Sequence, residues 1–448
     1  MVPIIFTMMK PNLFSSVFRP CCNPITIHRH FFLILLIFAS STLSQEQEKV
    51  STDTASLQRY LATNDMKSLN KALSMRFHES ERMMDPSKRT TPLPQNKIQR
   101  GSGLDFTSRY KLQADLEQIL YLIEQQEKQQ NDNYLNGEKL ILYQKVKDVY
   151  QKVLSQMPSD EELEPNGGLY RFRSQDIQAG ILEYYNRALY LPEDDDKENQ
   201  PESCPSDLST GTNTGTRTCS TGIDNILNPD LNWKAIEEEY WGQNPQVVAI
   251  DNILTKEALH GIRKILLEST VFYQTKPNTL GGYTGAYIDD GLHDRILLEL
   301  TTELRQYLPS ILQPHALRYL WAYKYDSSYN GIKLHADMAA VNVNLWITPD
   351  EANLDPTSGG LVVFTVKPPP EWDILQYNSD TEKVYEELLK PAGFKNVTIP
   401  YKENRAVLFD SALFHQTDNF HFKKGYPNRR INLTILYGDM QTSTSTAK

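Results

Sequence analysis

Apolar and polar positions alternate in several short stretches of the second half of the chain, a pattern typical of β-strands. The stretches are 247–250, 281–287, 317–325, 341–347, 361–364, 395–400, 405–409 and 429–438. Turn residues separate them, among them Gly359-Gly360 and the triple proline at 368–370. Short strands divided by turns predict an all-β barrel or jelly roll, in which 341–347 is a half-buried strand.

A helical period of apolar residues replaces this alternation between residues 104 and 191. Two helices are predicted, separated by Asn131–Asn133 and by Asn136-Gly137, and a third covers 175–189. We interpret 104–191 as a helical accessory region that packs as a scaffold, with peptide binding as the alternative. Further helices are predicted after the N-cap residue Thr255 and over 296–308 before Pro309, and 377–390 is predicted to be a helix-rich insertion.

The N-terminal pattern indicates export. An apolar run of about nine residues lies within 30–39, after Arg19 and Arg29, and small residues follow near Ser44. The run is much shorter than the ~20 residues that span a bilayer. We therefore predict a signal peptide over 1–44, with an uncleaved signal anchor as the alternative and the only route to a membrane. Residues 45–103 are polar and predict a flexible segment.

Cysteine positions agree with that prediction. The stretch 192–224 is acidic and then rich in Ser, Thr and Gly, which is typical of a linker. It holds Cys204 and Cys219, the two cysteines that lie outside the leader. In an oxidising compartment they would pair, whereas two free thiols are the alternative. Localisation in the secretory pathway, meaning the ER or Golgi lumen or secretion, follows from the leader and these cysteines together.

Charge excludes one class of partner. The formal net charge is −10 and the isoelectric point is near 5.5, without a basic patch along the sequence. Nucleic acid is therefore not an expected partner. The strands and helices of 225–440 form the predicted catalytic domain, and 441–448 is a polar tail.

A His-x-Asp motif, His335-Ala336-Asp337, precedes the strand at 341–347. On an extended backbone its two polar side chains point to the same side. Together with a second histidine they form the two-His-one-carboxylate set that suits non-haem Fe(II). Downstream of the motif the sequence offers His415, which follows an apolar strand, and His421, which lies among polar loop residues. We favour His415, because a site on a rigid element is better positioned.

The last strand carries a candidate anion site. Arg430, Asn432 and Thr434 share one face of it, while Ile431 and the following apolar residues share the other. An inward arginine with hydrogen-bonding neighbours can bind a carboxylate through two parallel bonds. A buried ion pair is the alternative role for Arg430. Arg429 is expected to face outward or to lie on the turn.

These motifs resemble the 2-oxoglutarate- and Fe(II)-dependent dioxygenase superfamily, over roughly residues 230–440. The features that carry the resemblance are the His-x-Asp, a histidine about eighty residues later and an arginine about fifteen residues beyond it. The Gly-Gly-Leu strand after a tryptophan strand resembles the phytanoyl-type branch, and a prolyl-hydroxylase-like branch is the other option. The resemblance implies an α+β protein: a double-stranded β-helix (jelly-roll) catalytic domain with flanking helices, preceded by the α-helical accessory region.

The resemblance also implies cofactors and roles. Fe(II) would be bound by His335, Asp337 and His415, and 2-oxoglutarate by Arg430. The other residues expected near 2-oxoglutarate are Asn432, Thr434, Tyr323 and Asn344. The substrates would be O2, 2-oxoglutarate and a protein or small molecule, and ascorbate is a candidate reductant. Tyr283, Tyr287 and Trp346 are candidates for lining the substrate groove, with core packing as the alternative.

The predicted function is therefore hydroxylation of a protein or peptide side chain, coupled to oxidative decarboxylation of 2-oxoglutarate to succinate. Two alternatives remain open from the sequence. The first is a phytanoyl-like hydroxylase of a lipid or small metabolite, and the second is a non-catalytic jelly-roll binding protein.

Overall fold

Two antiparallel sheets form the C-terminal half of the chain, and a helical region packs against the larger sheet. The computed structural model describes residues 106–128, 135–164, 168–192, 223, 225–276, 282–288, 291–326 and 331–440. The predicted leader, the polar segment 45–103, both linker cysteines and the tail 441–448 lie outside these residues.

Two long helices and several short elements make up the helical region. The helices are α1 (Arg109–Lys128), α2 (Leu135–Gln156), α3 (Asp160–Leu163), α4 (Ser174–Gln178) and α5 (Ile181–Tyr184). A short antiparallel pair, β1 (Phe106–Thr107) and β2 (Tyr170–Arg171), joins the two ends of the region. Buried apolar residues from both long helices, including Leu112, Leu122, Val146 and Val153, form its core.

The predicted helix boundaries in this region need two corrections. Asn136-Gly137 does not separate the helices, because α2 begins at Leu135 and continues through both residues. The single helix predicted over 175–189 is replaced by the short helices α4 and α5. Gly180 stands between them at φ 91°, a left-handed conformation that interrupts the helical path.

The larger sheet has seven antiparallel strands in the order β3-β10-β7-β12-β6-β5-β4. Their bounds are β3 (Val247–Asp251), β4 (Gln274–Lys276), β5 (Tyr283–Tyr287), β6 (Leu317–Tyr325), β7 (Val341–Trp346), β10 (Arg405–Asp410) and β12 (Arg430–Tyr437). The prediction for 317–325 is confirmed to the residue. The strand predicted over 341–347 is not half-buried: all six residues of β7 are buried, because both faces of the sheet are covered.

The smaller sheet has three strands, β8 (Leu361–Phe364), β9 (Asn396–Ile399) and β11 (His415–Thr417), in the order β11-β8-β9. It packs on one face of the larger sheet, which we call the inner face. Trp346, Val407 and Phe409 of the larger sheet contact Leu361 and Val363 there. From β6 onward the chain passes back and forth between the two sheets.

Helices cover the outer face of the larger sheet. They are α6 (Trp233–Gly242), α7 (Lys256–Glu268), α8 (Arg295–Tyr307) and α9 (Pro309–Leu312). The side chain of Thr255 accepts a hydrogen bond from the backbone N–H of Ala258, so the predicted N-cap is confirmed. Apolar residues of α7 and α8 pack on Val343, Leu433 and Ile435 of the sheet.

An insertion of helical turns lies between β8 and β9. It contains α10 (Ile374–Ser379), α11 (Thr381–Val384) and a π-helical turn, Tyr385–Leu389, which confirms the helix-rich insertion predicted over 377–390. Two 3-10 turns, Asp350–Ala352 and Tyr426–Asn428, complete the regular elements of the described chain. No helix among the described residues has the length and apolar character that crossing a bilayer requires.

Side chains of α1 attach the helical region to the sheet domain. Gln118 donates hydrogen bonds to the carbonyls of Leu267 and Ser269 at 3.0 and 2.8 Å. Arg429, just before β12, forms a 2.8 Å salt bridge with Glu117. Gln118 and Arg429 are both almost fully buried, while the Glu117 side chain is 43% exposed, and these bonds hold α1 on the outer face.

Candidate metal centre

The His-x-Asp segment meets β11 at the mouth of the space between the sheets. His335 and His415 form an antiparallel bridge, with backbone N–H···O distances of 3.0 and 2.8 Å. Their rings therefore lie side by side, with centroids 4.2 Å apart. A third backbone bond, from Asp337 N–H to the carbonyl of Ser411, fixes the end of the motif.

The structure brings His335, Asp337 and His415 into one cluster, whose candidate ligand atoms all lie within 4.8 Å of one another. The Nε2 atoms of His335 and His415 are 3.8 and 3.5 Å from the two carboxylate oxygens of Asp337. Three donor atoms on one side of a common point are the facial set that leaves half of an octahedral ion open. The alternative ligand His421 is exposed and lies outside this cluster.

Hydrogen bonds set the tautomer of both imidazoles. Nδ1 of His335 lies 2.8 Å from the carbonyl of Lys333, and Nδ1 of His415 lies 2.9 Å from the carbonyl of Leu413. A carbonyl only accepts, so each Nδ1 carries the hydrogen, and in the neutral ring Nε2 presents its lone pair. Backbone carbonyls commonly orient metal-binding histidines in this way.

Burial controls the charges of the cluster. Burial and then the neighbouring His415 ring lower the pKa of His335 to about 4, so this imidazole is neutral near pH 7. Burial by itself would raise the pKa of Asp337. The neighbouring His415 and His335 and the hydrogen bond from the Asn342 amide together outweigh burial, so the pKa of Asp337 is lowered. A neutral Nε2 lone pair thus faces an ionised carboxylate, and a cation fits between them.

Asn342 of β7 completes the surroundings of Asp337. Its Nδ2 donates a 2.8 Å hydrogen bond to Oδ2 of Asp337. Within the described part of the chain, Asn342 Oδ1 and the nearby Ser411 Oγ are buried without a hydrogen-bond partner. These two atoms are free to bind a polar group that enters beside the cluster.

The inner face of β12 carries Arg430, Asn432 and Thr434, as predicted, and all three are buried. Arg430 donates to the carbonyls of Gly359 and Gly360 at 2.7 and 3.1 Å. Four aromatic rings surround its guanidinium at 5.0–5.9 Å, those of Tyr325, Trp346, Tyr401 and Phe420. The predicted alternative, a buried ion pair, applies instead to Arg429, which pairs with Glu117 and Asp326.

No carboxylate of the described residues forms a salt bridge with Arg430. Arg430 is 2% exposed, and burial lowers its pKa, with Tyr325 and Tyr401 acting in the opposite direction. A buried charge is costly unless an ion of opposite sign accompanies it. This site therefore fits an anion that enters from solution, such as the carboxylate of a small molecule.

A ladder of amides connects the metal cluster with Arg430. Asn344 and Asn432 both donate to Oγ1 of Thr434, at 3.2 and 3.0 Å. The strand register places Asn344 opposite Thr434, and Asn342 one inner-face position closer to the cluster. Oδ1 of Asn432 is buried without a partner among the described residues. These amides and the Thr434 hydroxyl thus form a row of polar side chains between the two sheets.

Tyrosines of β5 and β6 line the adjoining wall. Tyr323 is buried, and its hydroxyl lies 2.7 Å from that of Tyr287, which is half-buried. The rings of Tyr283 and Tyr323 are 4.6 Å apart. Burial, followed by the nearby Tyr287 and Tyr283, raises the pKa of Tyr323, so its hydroxyl stays a donor. Trp346 is fully buried and stacks on Tyr401 at 5.3 Å, which places it in the core between the sheets.

Sequence reasoning missed two contributions to the centre. Asn378 of α10 bonds to the backbone of Ala336, and Gly360 holds Arg430 through its carbonyl. Gly359-Gly360 was visible in the sequence as a turn signal. Asn378 had no signal, because it lies in an insertion with no periodic relation to the motif it contacts.

Comparison with known proteins gave matches among solved structures alone. No model of a protein family matches the sequence, and no curated protein matches it. The epimerase SnoN from nogalamycin biosynthesis, a non-haem α-ketoglutarate-dependent enzyme, is 12% identical, with 48% of this chain and 89% of that chain covered and a TM-score of 0.33.

Two further solved structures match with similarly low sequence identity and TM-score. A prolyl hydroxylase from Trichoplax adhaerens, solved with a peptide of the hypoxia-inducible factor oxygen degradation domain, is 15% identical, covering 49% of this chain and 99% of that chain at a TM-score of 0.32. HygX from Streptomyces hygroscopicus, solved with nickel and 2-oxoglutarate, is 13% identical. The match covers 45% of this chain and 86% of HygX, with a TM-score of 0.31. At these values the function has to be argued from the residues of this chain.

Proposed function

We propose that this chain is a 2-oxoglutarate- and Fe(II)-dependent dioxygenase that hydroxylates a protein or peptide side chain. One observation carries the proposal: the His335–Asp337–His415 cluster and the buried Arg430, which has no salt bridge among the described residues, lie between the same two sheets. A row of amide side chains connects them. A metal site alone would suit many functions. A metal site combined with a buried carboxylate receptor suits a cosubstrate that is both a chelator and a dianion.

The fold proposed for the domain is a double-stranded β-helix. In support, the chain alternates between the sheets from β6 onward: His335 bridges to β11, β7 returns to the larger sheet, β8 and β9 lie in the smaller one, and β10, β11 and β12 alternate again. This winding places the His-x-Asp segment and β11 beside each other. The two ends of the ligand set therefore meet although about eighty residues separate them.

Nε2 of His335, Nε2 of His415 and the Asp337 carboxylate would hold the iron. Bound there, Fe(II) supplies O2 activation coupled to decarboxylation of 2-oxoglutarate, with succinate, CO2 and a hydroxylated product as the outcome. The protein keeps both imidazoles in the binding tautomer through Lys333 and Leu413. Asn342 holds the carboxylate in orientation.

Arg430 would bind the distal carboxylate of 2-oxoglutarate, with Thr434 and Asn432 as neighbouring donors. Asn344 orients the Thr434 hydroxyl, and Tyr323 offers a second hydroxyl from the facing wall. The aromatic rings around Arg430 exclude water, which strengthens the charge-assisted bond to a carboxylate. Ascorbate is proposed as a reductant that returns oxidised iron to Fe(II).

The substrate is proposed to approach along the tyrosine wall, where Tyr287 is half-buried and Tyr283 lies behind it. A protein or peptide is preferred to a metabolite on the prediction that the N-terminal leader takes the chain into the secretory pathway, where Cys204 and Cys219 would pair. A lipid or small-metabolite hydroxylase and a metal-retaining binding protein are the competing outcomes of the experiment below.

The test is an anaerobic titration of the purified protein with Fe(II) and then 2-oxoglutarate, monitored for the metal-to-ligand charge-transfer absorption. The band should appear in wild type and in His421→Ala, the matched control, and be lost in His415→Ala. In air, succinate should form with a peptide library and not with a metabolite extract. Absence of the band in wild type would overturn the proposal, and a band without succinate would identify a binding protein.

A further inference from the structure

The insertion between β8 and β9 lies directly behind the metal-binding segment. Its apolar side, which includes Tyr377, Val384 and Leu389, packs in one cluster with Leu334, Ala336, Phe364 and Phe414. Leu334 and Ala336 flank His335 in the chain, and Phe414 precedes His415. The insertion therefore contacts the chain neighbours of all three proposed ligands.

One polar contact in this packing is specific. The side chain of Asn378, in α10, accepts a hydrogen bond from the N–H of Ala336 at 2.9 Å and donates another to the carbonyl of the same residue at 2.9 Å. A primary amide that hydrogen-bonds with both the N–H and the C=O of one residue makes the same two bonds that a neighbouring β-strand would make. Ala336 is the residue between the two ligands of the His-x-Asp motif.

Strand geometry explains why this contact matters. In an extended segment, the N–H and C=O groups of successive residues point to opposite edges. His335 uses one edge for its bridge to His415, so Ala336 presents its polar groups to the other edge. No strand of the described chain pairs with Ala336 there. Asn378 satisfies both the N–H and the C=O of Ala336. Hydrogen bonds on both edges of the segment therefore fix the directions in which the side chains of His335 and Asp337 point.

A second contact couples the insertion to the other metal-binding strand. The Tyr385 hydroxyl donates a 3.2 Å hydrogen bond to Oε1 of Gln416, the residue after His415. The Tyr377 ring lies edge-on to Phe414, with centroids 6.2 Å apart. The insertion thus contacts both ligand-bearing segments. Among the described residues, Asn378 makes both of its side-chain hydrogen bonds to the His-x-Asp motif.

We infer that Asn378 is a positioning residue of the metal centre, and that the insertion preorganises the His-x-Asp segment for the ion. This inference rests on the metal site of the proposed function, but not on the identity of the cosubstrate. Outer partners of metal ligands commonly contribute 10- to 100-fold to metal affinity. Asn378 acts one step further out, through the backbone, so a loss near the lower end of that range is expected.

The test measures Mn(II) affinity by electron paramagnetic resonance together with hydrogen exchange at the Ala336 amide. Asn378→Leu keeps the branched shape and the number of side-chain heavy atoms and removes both hydrogen bonds, while Asn378→Ala also removes volume. Both variants should bind Mn(II) about 10-fold more weakly and exchange the Ala336 amide faster. Asn228→Ala is the control and should match wild type, because Asn228 also donates one hydrogen bond to a backbone carbonyl and accepts one from a backbone N–H, with Asn252 and Asp230 as partners.

Wild-type Mn(II) affinity and unchanged Ala336 exchange in Asn378→Leu would overturn the inference. An effect in Asn378→Ala alone would also overturn it, because it would show packing and not the hydrogen bonds. Mn(II) binding without 2-oxoglutarate binding in wild type would contradict the proposed function and leave this inference standing. If wild type binds no Mn(II), the positioning role is refuted together with the metal site.

Discussion

The guanidinium of Arg430 donates a 3.1 Å hydrogen bond to the carbonyl oxygen of Gly360. A glycine is required at that position, because a Cβ atom would lie 1.9 Å from the carbonyl oxygen of Ile399. The close approach of the Gly360 backbone to β9 therefore also sets the direction of its carbonyl. Two backbone carbonyls, of Gly359 and Gly360, thus hold the Arg430 guanidinium in place on the inner face of the larger sheet.

Arg430→Leu is expected to weaken 2-oxoglutarate binding far more than Arg429→Leu. A charge-assisted hydrogen-bonded pair contributes about 1.5–3 kcal/mol, which corresponds to a roughly 10- to 100-fold rise in the KM for 2-oxoglutarate. Arg429 pairs with Glu117 on the outer face, so its loss should lower the melting temperature and leave that KM unchanged. Steady-state kinetics and thermal unfolding of both variants test this. Equal effects on KM would place the carboxylate site elsewhere.

Alanine at His335, Asp337 or His415 should each abolish Fe(II)-dependent succinate formation. Loss of a direct ligand is expected to exceed the ~10- to 100-fold effect typical of outer partners. Far-ultraviolet circular dichroism should remain that of wild type, because the backbone bridge between the histidines does not need the side chains. His421→Ala should retain activity. The reverse result, with His415→Ala active and His421→Ala inactive, would exclude His415 as a ligand.

Lys324→Met should change how stability depends on pH. Lys324 is 1% exposed on the outer face, and burial, then Arg429, lower its pKa far below the usual value. Between that pKa and the unfolded value near 10.4, the unfolded chain binds one more proton. The free energy of unfolding therefore gains up to about 1.4 kcal/mol per pH unit as pH rises in this window.

Urea unfolding of wild type and Lys324→Met at pH 7 and 9 measures this contribution. The variant should be relatively more stable at pH 7, and its advantage should shrink at pH 9. The exposed Lys424→Met is the control and should show no such difference. An advantage that is the same at both pH values would mean that Lys324 is charged in the folded protein.

Expression in a secretory host should give a chain that has lost its first ~44 residues and carries a Cys204–Cys219 disulfide. Asn396-Val397-Thr398 is an N-glycosylation acceptor sequence. Its Asn396 and Thr398 are both exposed, so Asn396 should be glycosylated. The second one, Asn432-Leu433-Thr434, should stay bare, since its asparagine and threonine are 3% and 2% exposed. Mass spectrometry of the intact and digested protein reads all four features. An intact leader with two free thiols would refute export.

Much of the strand arrangement was predictable because alternation is a local property. The side chains of Arg430, Asn432 and Thr434 share a face by the period of the strand alone, and the structure has them on the inner face. The helix boundaries near Gly137 and Gly180 were harder. At Gly137, tertiary packing outweighs the weak tendency of a single glycine to interrupt a helix. At Gly180, a positive φ ends the helix.

The sequence by itself determined the candidate ligands, the order of strands along the chain and the face on which Arg430 lies. These features depend on residues a few positions apart, whose relation is set by backbone geometry. Only the tertiary structure decided that Arg429 pairs with Glu117, 312 positions away, while Arg430 keeps no carboxylate partner among the described residues. It likewise decided that Asn378 bonds Ala336. Contacts between distant segments depend on how the sheets and the insertion pack, and no local period encodes that packing.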